Sequence, residues 1–228
     1  MIGPMSVSEI AAVARQGWLI GARGLGLRPG PTPRGPGDGP LVAFVHGFMA
    51  SGPVFDPLRA RAAAAGFATT DFSYGPLARF ETIAGRLAEH LHSAAEGRPL
   101  ALVGHSLGGL LSRWVMQEYG VPAERLVTLA TPHHGTAIAR RWPTALARAL
   151  RPESAVLRRL RDPEVAHLAL VARHDTMVIP PESAAAPGAE VRWLDVGHNG
   201  ILFDAEAHDR IMGALSAWRR ERTASAAE

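Results

Sequence analysis

The chain contains no cysteine. That excludes disulfides, a thiol nucleophile and cysteine-ligated zinc. Lysine is absent as well, so all 24 basic residues are arginine. Together with the abundance of Ala, Gly and Pro, this reads as compositional bias of the coding sequence rather than as a functional signal. No apolar run approaches the roughly 18 residues of a membrane span. The best stretch, residues 10–27, is broken by Arg15, Gln16 and Arg23, with no basic segment before it and no convincing small-residue cleavage site. A cytoplasmic protein is therefore expected. Basic residues are not interleaved with aromatics in the manner of a nucleic-acid module, and the formal net charge is only +3. No nucleic-acid partner is expected.

With 228 residues, 47% hydrophobic and 20% charged, the chain suits one soluble domain with a single sizeable core and a small insertion. Residues 8–22 carry Ile10, Val13, Ala14, Trp18 and Ala22 near helical spacing, with Ser8 placed to cap the helix. Such an amphipathic helix can pack on the domain, or it can lay Trp18, Leu19 and Ile20 against a membrane surface. Residues 28–40 are dense in Pro and Gly and read as an extended linker. The N-terminal region is thus 1–40 and the main domain 41–228.

Within that domain, apolar runs of strand length at 41–45, 68–72, 100–104, 126–130, 166–172 and 191–196 alternate with helical patterns at 53–65, 80–95, 107–119 and 205–222. Alternation with short connections predicts an α/β fold, a mostly parallel sheet of about six strands flanked by helices. Functional side chains should then gather in loops at the carboxyl ends of the strands.

The central motif is Gly104-His105-Ser106-Leu107-Gly108, between a strand and a helix. There a very tight turn would thrust Ser106 above the sheet, and side chains at Gly104 and Gly108 would collide where strand and helix cross. The loop His46-Gly47-Phe48 follows the first strand, and its Phe48 N–H together with that of Leu107 could form an oxyanion hole. Asp175 follows the fifth strand and suits the acid that orients a histidine, with Asp162 and Asp195 as rivals. His198 follows the sixth strand, and the order Ser, Asp, His fits this architecture. The other histidines are expected in supporting places: His46 as a hydrogen-bonder, His105 buried and turned away from the nucleophile, His133 and His134 as walls of the site or as supports behind it. No spaced ligand set points to a metal.

These motifs, with Leu129-Ala130-Thr131-Pro132-His133-His134-Gly135-Thr136, resemble the α/β-hydrolase superfamily and within it the bacterial lipase and esterase group. The resemblance covers residues 41–218. It implies Ser106 as nucleophile, Asp175 as acid, His198 as base, no metal or organic cofactor, and a small-molecule or lipid ester as substrate. A thioester substrate or an acyl acceptor would use the same triad, and a silent binding protein could share the scaffold. Where such folds often insert a lid, residues 136–162 mix arginines with Ile138, Trp142, Leu146 and Leu150. They read either as a small helical cap with transient contact to lipid interfaces or as a solvated helix pair.

Overall fold

Six strands build one sheet: β1 (Leu41–Val45), β2 (Ala68–Phe72), β3 (Leu100–His105), β4 (Ala123–Leu129), β5 (Ala166–Ala172) and β6 (Glu190–Leu194). Their order is β2-β1-β3-β4-β5-β6 and every pairing is parallel. The computed structural model describes residues 6–24, 39–75 and 77–225. Most of the linker predicted at 28–40 lies outside them.

The strands are apolar on both faces because both faces are covered. On one side α3 (Phe80–Ala95) and α4 (Leu107–Tyr119) pack over Leu41, Ala43, Val45, Leu100 and Leu102. On the other, α2 (Asp56–Ala64) and α7 (Ala205–Ser225) pack over Val42, Phe44, Ala101, Val103 and Val127. Alternate residues of one strand thus serve opposite cores, as the pleat requires. Between β4 and β5 come a 3-10 turn (Ala137–Arg141) and two five-residue helices, α5 (Ala145–Ala149) and α6 (Ala155–Arg159). Leu146 and Val156 are buried beneath them, while Arg140, Arg141, Arg148, Arg158 and Arg159 face solvent.

Element edges differ from the sequence expectation for local reasons. β4 begins at Ala123 and stops at Leu129, because Ala130 adopts a φ of 45° and turns the chain out of the sheet. β6 ends at Leu194, the last residue in register with β5. The segment predicted as one helix at 53–65 is a 3-10 turn (Gly52–Phe55) followed by α2, whose first turn contains Pro57 and so lacks one amide donor.

The N-terminal helix α1 (Val7–Gly24) packs on the domain, burying Ala12, Leu19 and Ala22. Leu19 therefore faces inward, and Trp18 alone of the predicted membrane-facing trio is largely exposed, at 61%. The cap is Ser6 rather than Ser8: the Glu9 amide donates to Ser6 Oγ at 3.2 Å.

A polar chain crosses the core beside β4. Arg113 donates to His133 Nδ1 at 2.9 Å, His133 Nε2 lies 3.1 Å from Thr128 Oγ1, and Thr128 Oγ1 lies 2.8 Å from His167 Nε2. Because a guanidinium only donates, the tautomers follow: His133 donates to Thr128, and Thr128 donates to His167. Burial pushes His167 down to about 3, and burial likewise pushes His46 down to about 4. The unfolded chain takes up these protons below about pH 6.5 while the folded one resists, so stability present above that pH is lost as pH falls. Urea titrations should show a loss of about 2 kcal/mol per histidine by pH 5, and a smaller loss in His167→Gln. A stability independent of pH between 7 and 5 would contradict the assignment.

Candidate active site

β1 and β3 are the strands between which the chain reverses its order of addition to the sheet, so the loops leaving their carboxyl ends diverge and open a crevice. Ser106 stands at that point, between β3 and α4, with φ 54° and ψ −122°. A non-glycine residue held there stores roughly 1–3 kcal/mol of strain. Its surroundings enforce the conformation: the Ser106 amide donates to Leu129 O at 2.8 Å, and the Gly109 amide to Ser106 O at 3.1 Å. The helix leaves so close to the sheet that a Cβ at Gly108 would lie 2.0 Å from Val45 O, and one at Gly104 would lie 2.6 Å from Gly109 Cα. Gly109 is pressed against the Thr131 side chain, a long-range neighbour invisible in the motif itself.

His198 lies on the loop after β6 and is buried. Its Nδ1 is 2.8 Å from Asp175 Oδ2. The other oxygen of that carboxylate, Oδ1, accepts the Met177 and Val178 amides, each at 2.7 Å. Asp175 therefore anchors its own turn with one oxygen and holds the imidazole with the other. An ionised carboxylate only accepts, so Nδ1 carries the proton and Nε2 is the basic nitrogen. Burial by itself would lower the affinity of His198 for a proton, but the charge and hydrogen bond of Asp175 and the charge of Glu9 outweigh it and leave the pKa raised.

The rival carboxylates are elsewhere. Asp195 pairs with His174 at 2.6 Å, but both side chains are exposed, and Asp162 meets Arg113 at 3.4 Å. His46 is buried and fully engaged: its Nε2 accepts the Tyr74 amide at 3.1 Å, its Nδ1 is 2.7 Å from Gly47 O, and Tyr74 Oη donates to its carbonyl at 2.6 Å. That network fixes the loop ahead of Phe48. His105 is buried as expected but does not turn away. Its ring lies 4.8 Å from that of His198, and its Nε2 is 2.9 Å from the His198 carbonyl oxygen. Burial keeps it neutral, so it donates to that carbonyl and supports the histidine loop. His133 belongs to the core chain described above, and no group of three or more potential metal ligands occurs among the described residues.

Ser106 and His198 open onto one cavity of about 320 Å³. Among the described residues no direct hydrogen bond joins them; the hydrogen bonds of His198 run to Asp175 and His105. Phe48 also lines the cavity, and its N–H donates to no other group of the described fold. Leu107 opens α4, so its N–H has no intrahelical acceptor. The walls are largely apolar: Ile138, Trp142 and Leu150 come from the segment between β4 and β5, Val13 and Ile20 from α1, and Met49, Met177 and Val178 from the loops after β1 and β5. Trp142 meets Phe48 edge-on at a ring separation of 6.0 Å.

Sequence reasoning missed Glu9. Although it is 2% exposed and 190 residues away, its Oε1 accepts the amide and side-chain N–H of Asn199 at 2.7 and 2.8 Å, and its Oε2 accepts the Gly200 amide at 3.0 Å. The one sequence signal is Ser6-x-x-Glu9, which reads as a capping box.

An all-parallel sheet with a strained serine at the β3–α4 elbow, and an aspartate and histidine after β5 and β6, defines the α/β-hydrolase fold. The chain is similar to solved structures of that class. These include the mature lipase BlEst2 of Bacillus licheniformis, with TM-score 0.62, 19% identity and coverage of 74% of this chain and 91% of that one. A structure of the metagenome-derived lipolytic enzymes LipS and LipT gives 0.65, 17%, 82% and 96%. The α/β hydrolase MGS-MChE2, from a lagoon-sediment metagenome, gives 0.59, 18%, 82% and 93%. Against Aspergillus fumigatus lipase B the chain spans about half of that protein's length, 51%. No family model and no curated protein matches the sequence.

The crowding at the elbow is testable by contrast. Gly108→Ala should destabilise the fold by several kcal/mol, since backbone and not a flexible side chain must yield, roughly the scale of core overpacking. Gly213→Ala, on the exposed side of α7 with nothing within 4 Å, should gain about 0.5–1 kcal/mol. Thermal unfolding of both variants reads the difference, and equal responses would contradict the close crossing.

Proposed function

We propose that the protein is a serine hydrolase of carboxylic esters. The observation carrying this reading is the buried Asp175–His198 pair, whose free imidazole nitrogen belongs to the same cavity as a serine held in a strained elbow. Ser106 Oγ attacks the ester carbonyl while His198 Nε2 takes its proton, and Asp175 holds the tautomer and stabilises the imidazolium. The Phe48 and Leu107 amides receive the oxyanion, each such donor being worth roughly 3–4 kcal/mol in a preorganised site. His198 then protonates the departing alcohol, leaving an acyl-enzyme that water resolves by the same sequence in reverse. The mechanism calls on no metal or organic cofactor.

Residues 136–162 form the cap of the 41–228 domain in this reading, with Ile138, Trp142 and Leu150 turned to the acyl chain. A cavity of about 320 Å³ sits at the lower end of small-molecule sites, which favours esters of short or medium acyl chains. Met49 and Trp142, 60% and 38% exposed beside the cavity, would support transient contact with a lipid interface. No helix among the described residues is long and apolar enough to cross a membrane.

Hydrolysis of p-nitrophenyl esters of increasing chain length tests the assignment. Ser106→Ala should lose turnover while unfolding at the wild-type temperature, and Asp175→Asn should lower kcat about 10⁴-fold through the wrong tautomer. Because the base must be neutral and its pKa is raised, kcat/KM should climb through an acid limb centred above pH 6.5. Undiminished turnover in pure Ser106→Ala would overturn the reading.

A further inference from the structure

The helix α1 precedes the hydrolase sheet and contributes no catalytic residue to the reading above, yet it reaches the histidine loop. Glu9 occupies the third helical position after its Ser6 cap, from which a glutamate commonly turns back on the cap. Here both carboxylate oxygens leave the helix and take three N–H donors from Asn199 and Gly200, the residues directly after His198. The fit is close: a Cβ on Gly197 would lie 2.2 Å from Glu9 Oε2, so the residues on both sides of His198 are shaped around this carboxylate. A carboxylate removed from water needs such compensation, and charge-assisted bonds to three donors supply it. Arg15 helps hold the helix in place by stacking on Phe203, 4.7 Å from the ring centre.

We propose that Glu9 is a positioning residue of the active site: it clamps the loop that carries His198, and its negative charge favours the imidazolium that forms during acyl transfer. The inference rests on the hydrolase reading for its link to catalysis. The clamp works together with His105, which holds the His198 carbonyl from the β3 side at 2.9 Å. Between them, Glu9 and His105 fix the backbone of the base, while Asp175 fixes its ring. The titratable groups around His198 are therefore Asp175 from the loop after β5, Glu9 from α1 and the neutral His105 from β3, with the exposed His174–Asp195 pair at the strand ends beyond. Of the two carboxylates that favour the charged ring, Glu9 is the one that does not touch it.

Glu9→Gln keeps the size of the side chain, removes its charge and sets an amide N–H against one of the three donors. It should move the acid limb of kcat/KM to lower pH by about half a unit or more, because a negative charge that favours the imidazolium is gone. The same variant should lower kcat about tenfold, with KM within twofold, through loss of alignment. Glu9→Asp retains the charge at shorter reach, so it should keep the wild-type limb while kcat falls. NMR titration of the His198 imidazole needs no substrate, and it should show the same downward shift in Glu9→Gln even if the ester chemistry is wrong. A Glu9→Gln protein with wild-type His198 titration overturns the proposal. If Glu9→Gln does not fold, a Glu9→Asp enzyme with undiminished kcat, or with its His198 titration displaced like that of a neutral variant, overturns it instead. Turnover that survives Ser106→Ala defeats the hydrolase reading alone and leaves the titration result to stand by itself.

Discussion

Burying a carboxylate and an imidazole together is costly unless every polar atom finds a partner, and the site depends on how that cost is met between Asp175 and His198. Asp175 Oδ1 is satisfied by two amides of its own turn, which leaves Oδ2 committed to His198 Nδ1. The imidazole is held in one tautomer, with its second nitrogen available. The loop around it is braced by His105 from one side and by Glu9 from the other. Removal of one brace would still leave the Asp175–His198 hydrogen bond, but it would loosen the backbone that carries the imidazole.

The sheet supplies the frame for this pair. Because all six strands run parallel, the loops after β1, β3, β5 and β6 emerge at one end, and side chains as far apart in sequence as Phe48 and His198 share one cavity without any long excursion of the backbone. The close crossing at Gly104 and Gly108 then fixes Ser106 in its strained backbone conformation. Strain of this size persists because the surrounding contacts over-determine it: the serine amide is tied to β4 while α4 presses on β1. The loop ahead of Phe48 is held in the same manner, by His46 and Tyr74 bonding to each other through both side chain and backbone.

Much of this was legible in the sequence where a physical requirement leaves a local mark. Glycines demanded by a tight crossing mark the elbow, and unbroken apolar runs mark strands covered on both faces, so the order of the elements and the placement of Ser106 could be read directly. The choice among aspartates was harder. Asp175 and Asp195 both follow strands and both pair with a histidine, and only burial separates the 1% exposed side chain of the first from the 83% exposed side chain of the second. His105 was misjudged because its ring direction depends on where the chain returns 93 residues later. Glu9 was out of reach for the same reason, since its partners lie at the far end of the chain and its local pattern suggests an ordinary helix cap. The end of β4 at Leu129 reflects a positive-φ turn at Ala130, a residue whose side chain gives no warning of it.

Covalent capture of the nucleophile tests the central claim most directly. The native protein treated with a fluorophosphonate near pH 8 and digested for mass spectrometry should carry a single phosphonyl adduct on Ser106. Labelling should disappear in Ser106→Ala and slow by orders of magnitude in His198→Ala. A folded wild-type protein that takes up no adduct, or takes it up at another residue, would contradict the account.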